Sequence, residues 1–446
     1  MHHRPLARIL LPLLLSACQN LDTPTIPPTP PEHSAHPGPA TGGAPPVPDP
    51  TSGAAFQDPS GFPDFHAWPA PDGPPIQEPG AWTDPVLLSE TAGGGYRPQI
   101  VVAGGGTVHA VYYERAAAGD LLRHRHSSNG LVWSPAQPFG FDHHRNWGPD
   151  LIAASDGSLY VVFDHILPDL TSRGYLTAWR DGHWSEPEAL TPADGGEVGS
   201  GHIAEHTNGD LVYAWIGRPV QGATPFQAWA RWQIQGTWQA PTPLSDGTVD
   251  AWHTNVERRP DGTALVGFDL GWGGSETTLL VADGRDGAFS TPEDISATSH
   301  PGERPHFAYE AVGTDHITWF HKEASKPLHI YTRSGGPGRW GPVQEPSAGY
   351  GGYHFDPEIA VNHQGVRCLV WGWDAGQHAE MVYSIDTGKG WAAPRLLAGI
   401  GEGKPGLASL VNGDDGRFHV VWNQGVRGSN QVYYASLSVD PSAAAE

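Results

Sequence analysis

Short runs in which apolar and polar residues alternate recur along the chain from about residue 81 onward, and each ends in an aromatic side chain. They are Val111-Tyr112, Val162-Phe163, Ala214-Trp215, Gly267-Phe268, Thr318-Trp319, Val370-Trp371 and Val421-Trp422, with the aromatic positions 51 to 53 residues apart. A period of two within each run predicts β-strands rather than helices. A second series, Trp133, Trp184, Trp238, Phe289, Trp340 and Trp391, has a proline two or three residues on. A third precedes the first: Pro98-Gln99-Ile100, Pro149-Asp150-Leu151, His202-Ile203, Asn255-Val256, Pro305-His306-Phe307, Pro357-Glu358-Ile359 and Pro405-Gly406-Leu407. Turn pairs such as Asp156-Gly157, Asn208-Gly209 and Asp261-Gly262 separate the third series from the first and mark hairpins.

Each repeat therefore reads as four short strands, the composition of a propeller blade. The expected fold is all-β: a seven-bladed β-propeller of four-stranded blades over residues 81–440. The last repeat lacks its Trp-Pro strand, and Trp82-Thr83-Asp84-Pro85 lies one period before Trp133 and matches Trp391-Ala392-Ala393-Pro394. The N-terminal strand is thus expected to complete the last blade and close the ring, which removes two free sheet edges. The recurring aromatics are read as core.

Composition narrows the rest. With 58 Gly and 44 Pro, the chain is unsuited to helical bundles. A net charge of -23 argues against a nucleic-acid partner. No apolar run reaches the length of a membrane-spanning helix. Residues 1–18 combine a basic start (His2, His3, Arg4, Arg8), a short apolar stretch and Leu15-Ser16-Ala17-Cys18, the layout of an export signal. Residues 19–80 hold 18 prolines, all between positions 21 and 80, and are read as a disordered, extended tether. Residues 441–446 form a tail. Only Cys18 and Cys368 are present, and Cys368, inside Val366–Trp371, is read as a small buried hydrophobe.

Two resemblances follow from these motifs. Leu15–Cys18 resembles the lipobox of bacterial lipoproteins, which implies cleavage before Cys18, lipidation of its thiol and attachment to the cell envelope, at the outer membrane in a diderm cell because Gln19 is not Asp. Ser384-Ile385-Asp386-Thr387-Gly388-Lys389-Gly390-Trp391 is similar to the Asp-box of sialidase-like (BNR-repeat) propellers, with decayed versions at Ser128/Gly130/Trp133 and at Asp181–Trp184 and Asp286–Phe289. That resemblance implies a fold and a turn opposite the binding face. Sialidase chemistry is not implied, because the Arg-Ile-Pro motif is missing and only Arg97 and Arg304 occupy matching places.

Loops at one end of the blades collect Arg97, His144, Arg145, Trp147, Trp252, His253, Arg304, Tyr353, His354, Asp356 and Lys404. Aromatic faces with Arg, His and Asp suit a polar ring such as a sugar, and a positive mouth on an acidic protein suits an anionic one. The expected function is binding of a glycan or another surface ligand by an envelope-anchored monomer. A polysaccharide lyase using His144, His253, His354 or Tyr353 beside Arg304, a hydrolase using Asp356, Glu358, Asp150 or Asp269, and a scaffold role are the alternatives. Asp164-His165, Trp272, His321-Lys322, Trp373-Asp374 and Asn423 lie in the second loop set. No cofactor and no metal site are expected, since no His pair has zinc-helix spacing and Asp283–Gly287 lacks an EF-type ligand set.

Overall fold

In the computed structural model the described residues are 76–77, 80–91, 93–116, 119–169, 171–192, 196–206, 208–218, 225–271, 277–296, 302–311, 313–321, 328–376, 378–401, 403–425 and 429–439. The export segment with Cys18, most of the tether, Trp272, Lys322 and the tail lie outside them. The chain divides into residues 1–54 and a compact unit, 55–446, which contains every described residue.

All regular structure among the described residues is β. The strands form antiparallel meanders in which the second strand of each hairpin carries the recurring aromatic and runs two to four residues past it. In the last meander, for example, Lys404–Asn412, Phe418–Gly425 and Gln431–Leu437 follow one another, and Val86–Leu87 pairs with Gln431–Leu437 through Val86↔Tyr434 and Leu87↔Tyr433. The largest sheet is two such meanders, joined where Gly119–Asp120 runs parallel to His144–Arg145. Each first strand lies against the first strand of the next meander. The series runs from Gly95–Ala103 through His144–Ala153, Glu197–Glu205, Ala251–Arg258, Glu303–Tyr309 and Tyr353–Val361 to Lys404–Asn412, and this last strand lies against Gly95–Ala103.

The second strands are buried on both faces, which is why they read as near-continuous apolar runs. Tyr112, Phe163, Phe268, Trp319, Trp371 and Trp422 are wholly buried, and Trp215 nearly so. Removing each from water contributes roughly 4–6 kcal/mol of transfer free energy. The Trp-Pro series is different: Trp133, Trp184, Trp238, Phe289, Trp340 and Trp391 are only half-buried. These rings cap the neighbouring sheet from its edge, Trp133 meeting Tyr434 edge-on at 5.0 Å and Trp391 donating through Nε1 to Thr332 Oγ1 at 3.2 Å. Cys368 is buried, and burial pushes its thiol well up.

The turn before Trp391 is held by buried Asp386. Its Oδ1 accepts from the N–H groups of Gly388 and Gly390 at 2.7 and 3.1 Å, and Oδ2 pairs with Arg367 at 2.7 Å. In the first meander Ser127 and Asn129, rather than Ser128, hold the equivalent turn: Gly130 N–H donates to Ser127 Oγ, and the Leu131 and Val132 N–H groups donate to Asn129 Oδ1.

The folded unit begins earlier than residue 81. Ile76 is buried among Phe355, Trp371 and their neighbours. The N–H of Gln77 donates to Pro394 O at 3.3 Å, and Leu396 N–H donates to Gln77 O at 3.0 Å. Trp82 packs edge-on against Tyr383 at 5.7 Å. Leu88 is fully buried beside Tyr112, Val421 and Val432. Its carbonyl accepts from Tyr112 Oη at 2.8 Å and from Arg125 Nη1 at 2.5 Å. Residues 76–88 thus tie the start of the unit to its last sheets. Leu88→Ala, which leaves those backbone bonds in place, is expected to lower stability by about 2–5 kcal/mol in urea unfolding; a loss below 0.5 kcal/mol would mean that this segment carries no structural weight.

Candidate functional site

Every first strand breaks register at one place. The breaks fall between Tyr96 and Gln99, Trp147 and Asp150, Gly199 and His202, Ala251 and Thr254, Glu303 and His306, Phe355 and Glu358, and Pro405 and Ala408. Such bulges re-aim side chains and often sit at functional edges. At five of them the bulged residue has a left-handed backbone: Arg97 (φ 47°), Gly148 (56°), Ser200 (51°), Arg304 (54°) and Asp356 (49°). For a non-glycine this costs about 1–2 kcal/mol. Gly148 is the one position without a side chain, and a Cβ there would meet nothing nearer than Asp164 Oδ2 at 3.7 Å.

The bulges are stapled across the sheets. Arg304 N–H donates to Asp269 Oδ2 at 3.0 Å and Arg97 N–H to Asn423 Oδ1 at 3.3 Å, while the N–H of Ser200 lies beside Asp164 without the alignment of a full hydrogen bond. In each case the partner follows the buried aromatic of the preceding meander. Between sheets, Ile203 N–H also donates to Asp150 Oδ2 at 2.9 Å, and the Thr254 hydroxyl bonds the Ser200 carbonyl.

Before the bulges, the mouth residues fall into three groups. In the first, the Arg97 guanidinium lies 3.7 Å above the Trp147 ring. Beneath it is Asp164, whose carboxyl is pushed well above the usual range, by burial first and against the pull of Arg97. The second is a chain: Asp269 Oδ2 contacts His253 Nδ1 at 2.7 Å, Arg304 Nε donates to His253 Nε2 at 3.1 Å, and Arg304 Nη1 donates to Asp356 Oδ1 at 2.7 Å. Asp356 Oδ2 is buried without a hydrogen bond. Burial lowers the pKa of His253 despite the Asp269 charge, so the ring accepts from Arg304 as a neutral imidazole. In the third, Lys404 Nζ lies 2.6 Å from buried Asp374 Oδ2, and burial followed by the Asp374 charge raises the Tyr353 phenol.

The remaining expected residues are more peripheral. Arg145 is half-exposed and pairs with Asp120 at 3.0 Å. His144 meets His143 edge-on at 4.6 Å, and Trp252 tilts against Phe226 at 6.0 Å. His354 does not face the mouth. It is fully buried, accepts from Trp371 Nε1 at 2.9 Å, and is held neutral by burial, with its pKa lowered to about 3. In a regular strand His354 and Asp356, two residues apart, would share a face; the bulge between Phe355 and Glu358 separates them, so that Asp356 meets Arg304 while His354 packs beside Trp371.

Past the bulges the first strands line an axial cavity of about 330 Å³. Gln99, Asp150, His202, Asn255, His306 and Glu358 project into it at matching positions. His306 Nδ1 meets Glu358 Oε1 at 3.0 Å, and His202 Nδ1 meets Asp150 Oδ1 at 3.6 Å. Burial works to lower His306, but the charge and hydrogen bond of Glu358, with the charge of Asp356, together raise it. Two residues beyond Asn255, Glu257 opens onto the cavity surface yet lies deep within the protein; desolvation, then Asp150 and Glu358, raise its pKa to about 8. Sequence reading picked out Asp150, Glu358 and, in the loop Gly199–His202, His202, but not His306 or Glu257, which look like ordinary strand residues until the first strands stand side by side.

The sequence spacing also gave no metal set. Strand pairing nevertheless places donor atoms of His109, His124 and His126 within 4.8 Å of one another. Burial, then neighbouring histidines, lowers His109 to about 4 and His124 to about 3.

Because the folded pKa of Glu257 stands above its unfolded value of 4.5, the folded state holds the proton more tightly and stability declines as pH rises through the interval up to about 8. Glu257→Gln removes that decline. The variant is expected to match the parent near pH 4 and exceed its stability at pH 9, measured by urea unfolding across pH; equal slopes in both proteins would place Glu257 in ordinary solvent.

No family model matches the chain, and no curated protein matches it. Among solved structures it is similar to a protein of unknown function from Dyadobacter fermentans DSM 18053, with a TM-score of 0.52 and 14% identity over 80% of this chain and 99% of that one. It is also similar to an alpha-L-arabinanase of Penicillium chrysogenum complexed with arabinobiose (TM-score 0.47, 13% identity, 83% and 99% covered). A third likeness is to the Trypanosoma rangeli sialidase in complex with DANA (TM-score 0.47, 12% identity, 83% of this chain and 60% of that one). At these identities the likeness concerns the fold alone, and the chain has an all-β, propeller-type fold.

Proposed function

We propose that the protein is a carbohydrate-binding propeller that takes an acidic sugar where its first strands begin. The observation that carries this reading is the Arg97 guanidinium held 3.7 Å over the Trp147 ring. The buried indole fixes the cation in place, and a positioned guanidinium is a carboxylate partner. Lys404 and Arg145, each about one-third exposed, add cationic edges. Arg304 is already occupied by Asp356 and His253 and shapes the mouth.

The scaffold of this reading has seven blades, the last completed by Val86–Leu87. The contact of Lys404–Asn412 with Gly95–Ala103 and the pairing of Val86–Leu87 with Gln431–Leu437 support that count. In the same reading the protein is exported, lipidated on Cys18 and held off the envelope by its proline-rich segment. A labelled fatty acid should enter the parent and not Cys18→Ala when each is expressed in a bacterial host; equal labelling would remove the anchor.

A hydrolytic reading draws on Asp164. A carboxyl whose pKa burial has raised is the form a general acid takes, and the missing side chain at Gly148 leaves space beside it. Binding and turnover separate in one experiment: uronate- and sialate-bearing oligosaccharides are offered on an array, and the bound ones are then assayed for cleavage. Arg97→Ala and Trp147→Ala are each expected to weaken binding at least tenfold, about 1.4 kcal/mol. Cleavage that disappears in Asp164→Asn would convert the reading to an enzyme, and an array blank for acidic and neutral sugars alike would end it.

A further inference from the structure

We propose that His109, His124 and His126 form a binding site for one divalent transition-metal ion of the zinc class. The site lies between the first two meanders, apart from the mouth and the axial cavity. His124 and His126 are two residues apart on Gly119–Ser127 and so share a face. His109, on the adjoining strand Thr107–Ala116, stands directly opposite His126. The three rings form a nearly equilateral triangle, with centroids 5.3, 5.6 and 5.7 Å apart.

That triangle has the dimensions of a three-histidine metal site. A Zn–N bond of about 2.0–2.1 Å in tetrahedral geometry puts donor nitrogens roughly 3.3 Å apart and ring centroids roughly 5–5.5 Å apart. His109 Nδ1 and His124 Nε2 are already 3.0 Å apart, and all three donors lie within 4.8 Å of one another. Rotation of the half-buried His126 ring closes the difference.

Two further features point to a ligand. The Nδ1 of His126 is buried without a hydrogen-bond partner, and wholly buried His124, whose Nε2 faces His109, leaves its other ring nitrogen unpartnered as well. Buried ring nitrogens are ordinarily satisfied. The surroundings also suit a metal. The edges of Trp179 and Trp184 close on His124 at 4.8 and 5.3 Å, so the site is dry on that side. Three neutral imidazoles select zinc, cobalt, nickel or copper over calcium and magnesium, which prefer oxygen. With three protein ligands, the fourth position falls to water or a small anion.

The test uses the full chain, stripped with chelator and titrated with Co²⁺ alone. One equivalent should produce the intense visible absorption of a low-coordinate, nitrogen-ligated ion, and Zn²⁺ should displace it. His126→Asn, altering the most exposed of the three rings, should weaken Co²⁺ binding at least about tenfold. Zn²⁺ should raise the unfolding midpoint of the parent but not of the variant. Because the chain has 24 histidines, the parent–variant difference isolates this site. A spectrum that stays that of the aqueous ion overturns the proposal even if the variant does not fold, and so does equal binding by a folded His126→Asn.

Discussion

The structure depends on one backbone constraint, the register break in every first strand. The bulged residues Arg97, Arg304 and Asp356 meet groups of the neighbouring sheets, and beyond the break Gln99, Asp150, His202, Asn255, His306 and Glu358 line the axial cavity. A strand without the break would present a single alternating row, and the mouth and cavity would compete for the same residues. The break costs strain, since Arg97, Ser200, Arg304 and Asp356 all adopt a left-handed backbone. What holds them there comes from the preceding sheet: Asp269 accepts the Arg304 N–H and Asn423 the Arg97 N–H. Mouth geometry is therefore set between sheets rather than within one, and it persists only while neighbouring sheets stay packed.

That packing was readable in the sequence, because it repeats. The aromatics carried by the second strands recur at 51 to 53 residues and are buried, so periodicity alone locates the core. The match between Trp82 and Trp391 is mirrored in space: Val86–Leu87 and Arg395–Leu396, each four residues beyond its Trp, both form outer strands. The Trp-Pro series was read as core and is half-buried instead, since an outer strand has a neighbour on one side only.

The site was legible in part. Arg97 with Trp147, and His253 with Arg304 and Asp356, were grouped by loop position and do meet. His354 was misplaced because a bulge changes side-chain parity without leaving a mark in composition. The axial residues His306 and Glu257 went unnoticed because nothing within one strand distinguishes a cavity-facing residue from a core-facing one. The histidine triangle was missed for a related reason: His109 is distant in sequence from His124 and His126, and only the pairing of their strands makes them neighbours.

Charge decides which of these places can receive an anion. The chain carries a net charge of -23, so a distant anionic ligand meets repulsion, but at physiological ionic strength that field fades within about 8 Å. Inside that range local composition governs. In the axial cavity burial first, then the charges of Asp150 and Glu358, raises Glu257 to about 8, and these carboxylates repel another. Most cations of the mouth have acidic partners: Arg304 has Asp356, Lys404 has Asp374 and Arg145 has Asp120. Arg97 differs in the acid beside it: burial drives Asp164 toward the neutral form, against the pull of the guanidinium.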